Sequence, residues 1–142
     1  MLRALPLLAL SLILYNVFAL GHGLASHDAM QHFLTQNAVT IHMFSGDSWD
    51  FTIGDFFVLL SLGFLFVEVV KATRTTAREI INHALSMVTF VVALIEFITL
   101  KGFSTSAFFF IMVMQLFDVI AGYTISIVAA EHDLGLGRAG TD

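Results

Sequence analysis

Four long runs of apolar residues divide the chain, separated by short stretches in which charge, glycine and hydroxyl groups return. The runs occupy residues 5–20, 51–70, 80–100 and 103–128. A helix crosses the hydrocarbon of a bilayer with about 20 apolar residues. Three runs reach that length, and the first falls slightly short unless it recruits Gly21 and Gly23. The pattern predicts an all-α polytopic membrane protein with four transmembrane helices, at about 4–22, 51–71, 79–100 and 103–129, in an antiparallel bundle. Residues 1–130 then form one membrane domain and 131–142 a polar cytoplasmic tail. The brief loops predict that the second and third helices are antiparallel neighbours.

Each run carries a narrow stripe of polar or small residues at steps of seven, or of three and four. The second helix has Gly54, Ser61 and Glu68; the third has Asn82, Ser86, Thr89, Ala93 and Glu96; the fourth has Gln115, Asp118, Gly122 and Ser126. A seven-residue step suits left-handed helix packing, and small residues let backbones approach, so the stripes read first as the seams of a bundle. Asp118 stands out, because an ionisable group near the centre of a span costs about 2.5–3.5 kcal/mol on insertion scales and is expected to face protein rather than lipid. Counting inward at 1.5 Å per residue puts Asp118, Thr89, Ser61 and Asn16 all roughly 13–18 Å deep. Those four, with Gln115 on the same helix as Asp118, predict one intramembrane polar layer in which Asn16 is the first partner of Asp118.

Glu68 and Glu96 lie about one turn from opposite helix ends, near Lys71 and Lys101, and read as groups that reach the interface. Taken with Asn82 and Asp118, they also form a staggered series from one side to the other, the pattern of a proton path. His83 is read as a packing residue, since no second membrane histidine exists to complete a bis-histidine site.

The connection at 23–50 is the longest, and is placed on the extracytoplasmic side. Met30, Phe33, Leu34, Ala38, Ile41 and Phe44 recur at helical spacing and predict an amphipathic segment on the membrane surface or over the bundle mouth. Residues 38–44 also alternate well enough for a short strand. Residues 46–50 read as a turn, Trp49 as an interfacial anchor, and Asp50 or Thr52 as a cap for the next helix. His22, His27, His32 and His42, with Met30 and Met43, offer copper- or zinc-type donors. Their steps of five do not put neighbours on one helix face, so a solvated polar face is the default reading.

Composition agrees with the membrane assignment: 58% of residues are hydrophobic and 12% charged, against roughly 25% charged in soluble domains. Cysteine is absent, which removes disulfides, thiolate metal sites and a cysteine nucleophile. The net charge of −5 is scattered and suggests no nucleic-acid partner. The first run was weighed against a secretory signal with a cleavage site at 23–25. A retained helix is expected, because the run outlasts most signal cores and Tyr15 and Asn16 interrupt it. Of the six basic residues, Arg3, Lys71, Arg74, Arg78 and Arg138 fall on one side of a four-span layout and only Lys101 on the other. The positive-inside rule then places both termini in the cytoplasm, with Trp49, Lys71, Arg74, Arg78 and Lys101 as interface anchors.

No nucleophile elbow, paired-histidine zinc motif or phosphate-binding loop is present, so neither an enzyme nor a cofactor is expected. In layout alone the chain resembles the small four-helix proteins of bacterial inner membranes, which implies that location but no residue roles. Two functional readings follow. The first is a non-catalytic bundle that associates with itself or with other membrane-protein subunits. The second is a proton or cation conductor centred on Asp118; extracytoplasmic metal binding through the histidines ranks below both.

Overall fold

A computed structural model describes residues 6–21, 26–72 and 77–138, with side chains placed for all of these except 77–80, 126 and 129–138. The described chain is mostly helical: α1 (Leu7–Gly21), α2 (His27–Leu34), α3 (Ile53–Ala72), α4 (Ala77–Thr99) and α5 (Ser106–Arg138). Between α2 and α3 lie two strands, β1 (Asn37–His42) and β2 (Ser48–Thr52), paired as an antiparallel hairpin.

Three helical segments are long and apolar enough to cross a membrane: Ile53–Ala72, Ile81–Thr99 and Ser106–Ile125. Of the span predicted at about 4–22, the described residues form α1: Pro6 precedes it, and its 15 described residues amount to about 22 Å of helix, against a hydrocarbon core of about 30 Å. At the other end of the chain, α5 continues to Arg138, into the stretch read as a polar tail. Ala129, Ala130, Glu131, Leu134 and Leu136 are helix-forming residues that extend a helix already nucleated in the span.

The expected pairing of α3 with α4 is not found along their length. Instead α5 packs against both of them, and α1 packs mainly on α3. Polar positions take part in the packing of α4 on α5: Ser86 and His83 lie near Asp118, and His83 also lies against Gly122. Without a side chain, Gly122 leaves a notch that the His83 ring fills; a Cβ there would lie 2.1 Å from His83 Nδ1.

The ends are capped by their own sequence. Thr52 and Asp55 form a capping box at the start of α3: Asp55 N–H donates to Thr52 Oγ1 (3.2 Å), and Thr52 N–H to Asp55 Oδ2 (2.9 Å). Thr105 caps α5 by accepting from Phe108 N–H at 3.3 Å. The Tyr15 hydroxyl donates to Gly102 O (3.1 Å) and lies 2.7 Å from Thr105 Oγ1, which ties α1 to the α4–α5 turn.

The segment between α1 and α3 is not one continuous surface helix: a short helix is followed by a strand at 37–42, as the strand reading of 38–44 expects, and that strand pairs with a second one. Ser26 caps α2 through Ala29 N–H, and Thr35 closes it. Gln36 O then accepts from Ile53 N–H, fixing the foot of the hairpin to the first residue of α3. The turn falls around Gly46, whose φ of 95° is costly for a residue with a Cβ. Residues 48–50, expected to turn, belong to β2.

Candidate functional site

The polar groups of the spans gather in two places instead of one layer. At the end opposite the hairpin, the carboxylate of Glu68 is buried, with 1% of its surface exposed. Glu68 Oε2 accepts from Leu7 N–H at 2.8 Å, Oε1 accepts from Asn82 Nδ2, and Lys71 Nζ lies 3.4 Å from Oε1. Leu7 is the first residue of α1, so its amide has no partner inside that helix. A negative charge at this position also favours the helix dipole. Glu68 therefore does not snorkel to the interface as expected; it ties α1, α3 and α4 together while Lys71 provides the surface contact.

One turn further in, Asp118 is 1% exposed and lies within electrostatic reach of Glu68, His83 and Lys71. Ser86 sits beside it without a hydrogen bond of ordinary geometry. Buried polar atoms are nearly always paired. Among the described residues those without a partner are concentrated here: Asn82 Oδ1, both ring nitrogens of His83, Ser86 Oγ, both amide atoms of Gln115 and Asp118 Oδ2. All lie on α4 or α5.

Asn16 is not the partner of Asp118. Its amide donates to Glu96 Oε2 at 3.0 Å and to Leu12 O at 3.1 Å. The reason is the height at which α1 begins. Leu7 docks on Glu68, about one turn inside the end of α3, and this shifts every α1 residue towards the hairpin end. Ser61 and Thr89 do not join a layer either; their hydroxyls donate to Phe57 O (2.7 Å) and Leu85 O (2.9 Å) in their own helices. Such back-bonding satisfies a hydroxyl without a neighbour.

An apolar core includes Leu12, Tyr15, Phe57, Ala93, Phe108, Ile111 and Met112. Tyr15 is surrounded by Phe57, Phe103 and Phe108, with ring centroids 4.7–5.6 Å away. Within the series Glu68, Asn82, Asp118 and Glu96, Asn82 bonds to Glu68, whereas Glu96 bonds to Asn16 of α1.

The Asn16–Glu96 pair opens onto a groove of about 520 Å³ between α1 and α4, lined otherwise by Leu12, Ile13, Val17, Leu20, Gly21 and Val92. A smaller cleft at the hairpin end is rimmed by Thr52, Asp55 and Thr105, groups already engaged in capping. Of the anchors, Trp49 and Lys101 are exposed and Lys71 half-buried; Arg74 and the side chain of Arg78 lie outside the described residues, as does the side chain of Ser126. His22 and the 23–25 cleavage site also lie outside them. His27 Nδ1 is 3.4 Å from Ser104 Oγ, His42 Nδ1 is 2.8 Å from Ser48 Oγ, and His32 is exposed on α2. The described residues bring no three histidine or carboxylate side chains together as a metal site.

Among the described residues three helices are long and apolar enough to cross a membrane, which suggests a membrane protein. Comparison with protein-family models, curated proteins and solved structures finds no match.

Proposed function

We propose that this is a non-catalytic membrane protein that works by helix association, as an accessory subunit of a larger complex or as a homo-oligomer. In this reading α1 completes a fourth crossing and both termini lie in the cytoplasm of a bacterial-type inner membrane. The observation that carries the reading is the Asn16–Glu96 pair, which opens into an apolar groove that no described residue covers. Polar groups within a membrane face protein or water, and helix contacts there are built on such pairs together with close packing.

The absence of cysteine makes the test clean. A photoreactive thiol probe on Val17→Cys, in the groove, should give one discrete adduct in native membranes, either a dimer of this chain or one defined subunit. The same probe on Ile120→Cys, exposed on another helix, should give none. Replacing Asn16 and Glu96 together by leucine should remove the groove adduct. Identical products from both positions would refute the reading.

The unpartnered atoms around Asp118 favour a second reading, in which this end takes part in proton movement. It predicts proton flux in reconstituted vesicles that Asp118→Asn abolishes. The separate partners of Glu96 and Glu68 weigh against one continuous path, and the association reading predicts no flux in either protein.

A further inference from the structure

The hairpin between α2 and α3 has two unlike faces. In the register of the pair, Val39 stands opposite Phe51 and Ile41 opposite Trp49, while Thr40 stands opposite Asp50 and His42 opposite Ser48. Alternate residues of a strand point to opposite sides, so the first two pairs share one face and the last two the other. The polar face is knitted by its own hydrogen bonds, Thr40 Oγ1 to Asp50 Oδ1 at 2.6 Å and His42 to Ser48. On the apolar face Trp49 and Phe51 meet edge to face, with centroids 5.8 Å apart, and Met43 and Phe44 extend it at the turn. Nothing in the described fold covers this face: Val39, Ile41, Phe44 and Trp49 are all exposed. A free two-stranded hairpin is marginal in water, so this one needs a cover.

We propose that the cover is lipid: the hairpin lies along the membrane surface with Val39, Ile41, Trp49 and Phe51 in the interfacial layer and the Thr40–Asp50 face towards water. Continuity with a span supports this. β2 ends at Thr52 and α3, a helix of crossing length, begins at Ile53, so the foot of the hairpin stands at the membrane boundary. The interfacial layer is only about 5–7 Å deep on each side, whereas five strand residues extend about 17 Å. An upright hairpin would lift Ile41 and Phe44 out of it; a flat one keeps the whole face within it. Aromatic rings concentrate in that layer. No lysine or arginine occurs between residues 26 and 70, so apolar burial, not attraction to anionic headgroups, drives the contact.

Trp49 is the only tryptophan, which gives a direct readout. The full chain is reconstituted in phosphatidylcholine vesicles, and its emission compared with that in vesicles of the same lipid brominated high on the acyl chains. The expected result is blue-shifted emission, most of it lost in brominated lipid and unchanged when anionic lipid or salt is added. A second protein, combining Trp49→Phe with Phe44→Trp, moves the reporter to the turn and is expected to be quenched likewise. Emission typical of water and quenched by iodide would overturn the proposal. Blue-shifted emission insensitive to brominated lipid would overturn it too, because protein would then cover the face. Quenching at position 49 without quenching at 44 would mean an upright hairpin and would equally refute it. None of these outcomes depends on the groove between α1 and α4.

Discussion

Replacing Gly122 by alanine tests the packing of α4 on α5 at its tightest point. The new Cβ would lie 2.1 Å from His83 Nδ1, 2.4 Å from Cε1 and 2.7 Å from Cγ. Turning the ring about its own axis does not relieve the contact at Cγ, which sits on that axis. The whole side chain must swing, and His83 is 2% exposed, with Ser86 and Asp118 close by. Overpacking of this kind costs about 1–3 kcal/mol, and contact with three ring atoms argues for the upper part of that range. Alanine in place of glycine returns about 0.8–1.0 kcal/mol of helix propensity. The expected net loss is therefore about 1–2 kcal/mol. His83→Ala vacates the space, so in that background Gly122→Ala should be neutral or slightly stabilising. The coupling between the two changes should reach about 2 kcal/mol, within the range found for residues in direct contact. The assay is reversible unfolding in mixed micelles followed by helical circular dichroism. Fluorescence is unsuitable, because Trp49 reports the hairpin. Additive effects, or a Gly122→Ala protein as stable as the parent in both backgrounds, would show that the ring does not occupy the notch.

Glu68→Ala should destabilise by about 3–5 kcal/mol, as expected when one member of a buried hydrogen-bonded charge cluster is removed, because it strands the Leu7 amide and the Asn82 side chain. Glu68→Gln, which still offers an accepting oxygen, should cost clearly less; equal losses in denaturation would refute the tie. Tyr15→Phe removes a hydroxyl that reaches Gly102 O and Thr105 and should cost about 1–2 kcal/mol, read as a lowered melting temperature. Gly46→Val forces a β-branched residue to a φ of 95° and should speed amide exchange in β1 and β2 while leaving α3 to α5 unchanged.

The spans were legible because a run of some twenty apolar residues has few alternative fates, and the three that reach this length are helices here. The hairpin was harder to read. Residues 30–44 fit a helical spacing that in fact belongs to two elements, with Met30 and Leu34 buried on α2 and Val39 and Ile41 on a strand. The better signal was available in the residues: Val39-Thr40-Ile41 and Trp49-Asp50-Phe51 alternate on either side of Ser45-Gly46-Asp47, a strand–turn–strand pattern. Asn16 meets Glu96 and not Asp118 because the helix ends are not level, whereas a depth count from each end takes them to be. No residue count reveals that an amide of α1 docks on a carboxylate inside α3. The burial of Asp118 follows from the cost of a carboxyl in lipid, but the neighbours that bury it depend on α5 lying between α3 and α4. Loop length alone pointed to the wrong pair.

The two polar places differ in one respect that bears on association. The carboxylates of Glu68 and Asp118 are buried, and Glu68 ties α1 and α4 to α3. At the other end, the Asn16–Glu96 pair faces an open groove, and the exposed apolar face of the hairpin stands at that same end, where α3 begins and α4 finishes. Sites that are closed by the fold act on its stability; sites that the fold leaves open act on what it meets. Changes at Glu68, His83 or Gly122 should therefore shift unfolding while a still-folded protein keeps its groove adduct. Replacing Asn16 and Glu96 should instead remove the adduct with little loss of stability, because an inter-helix hydrogen bond in a membrane contributes only about 0.6 kcal/mol. A large stability loss from that pair would mean that it, too, belongs to the closed interior, and the groove would lose its claim to a partner.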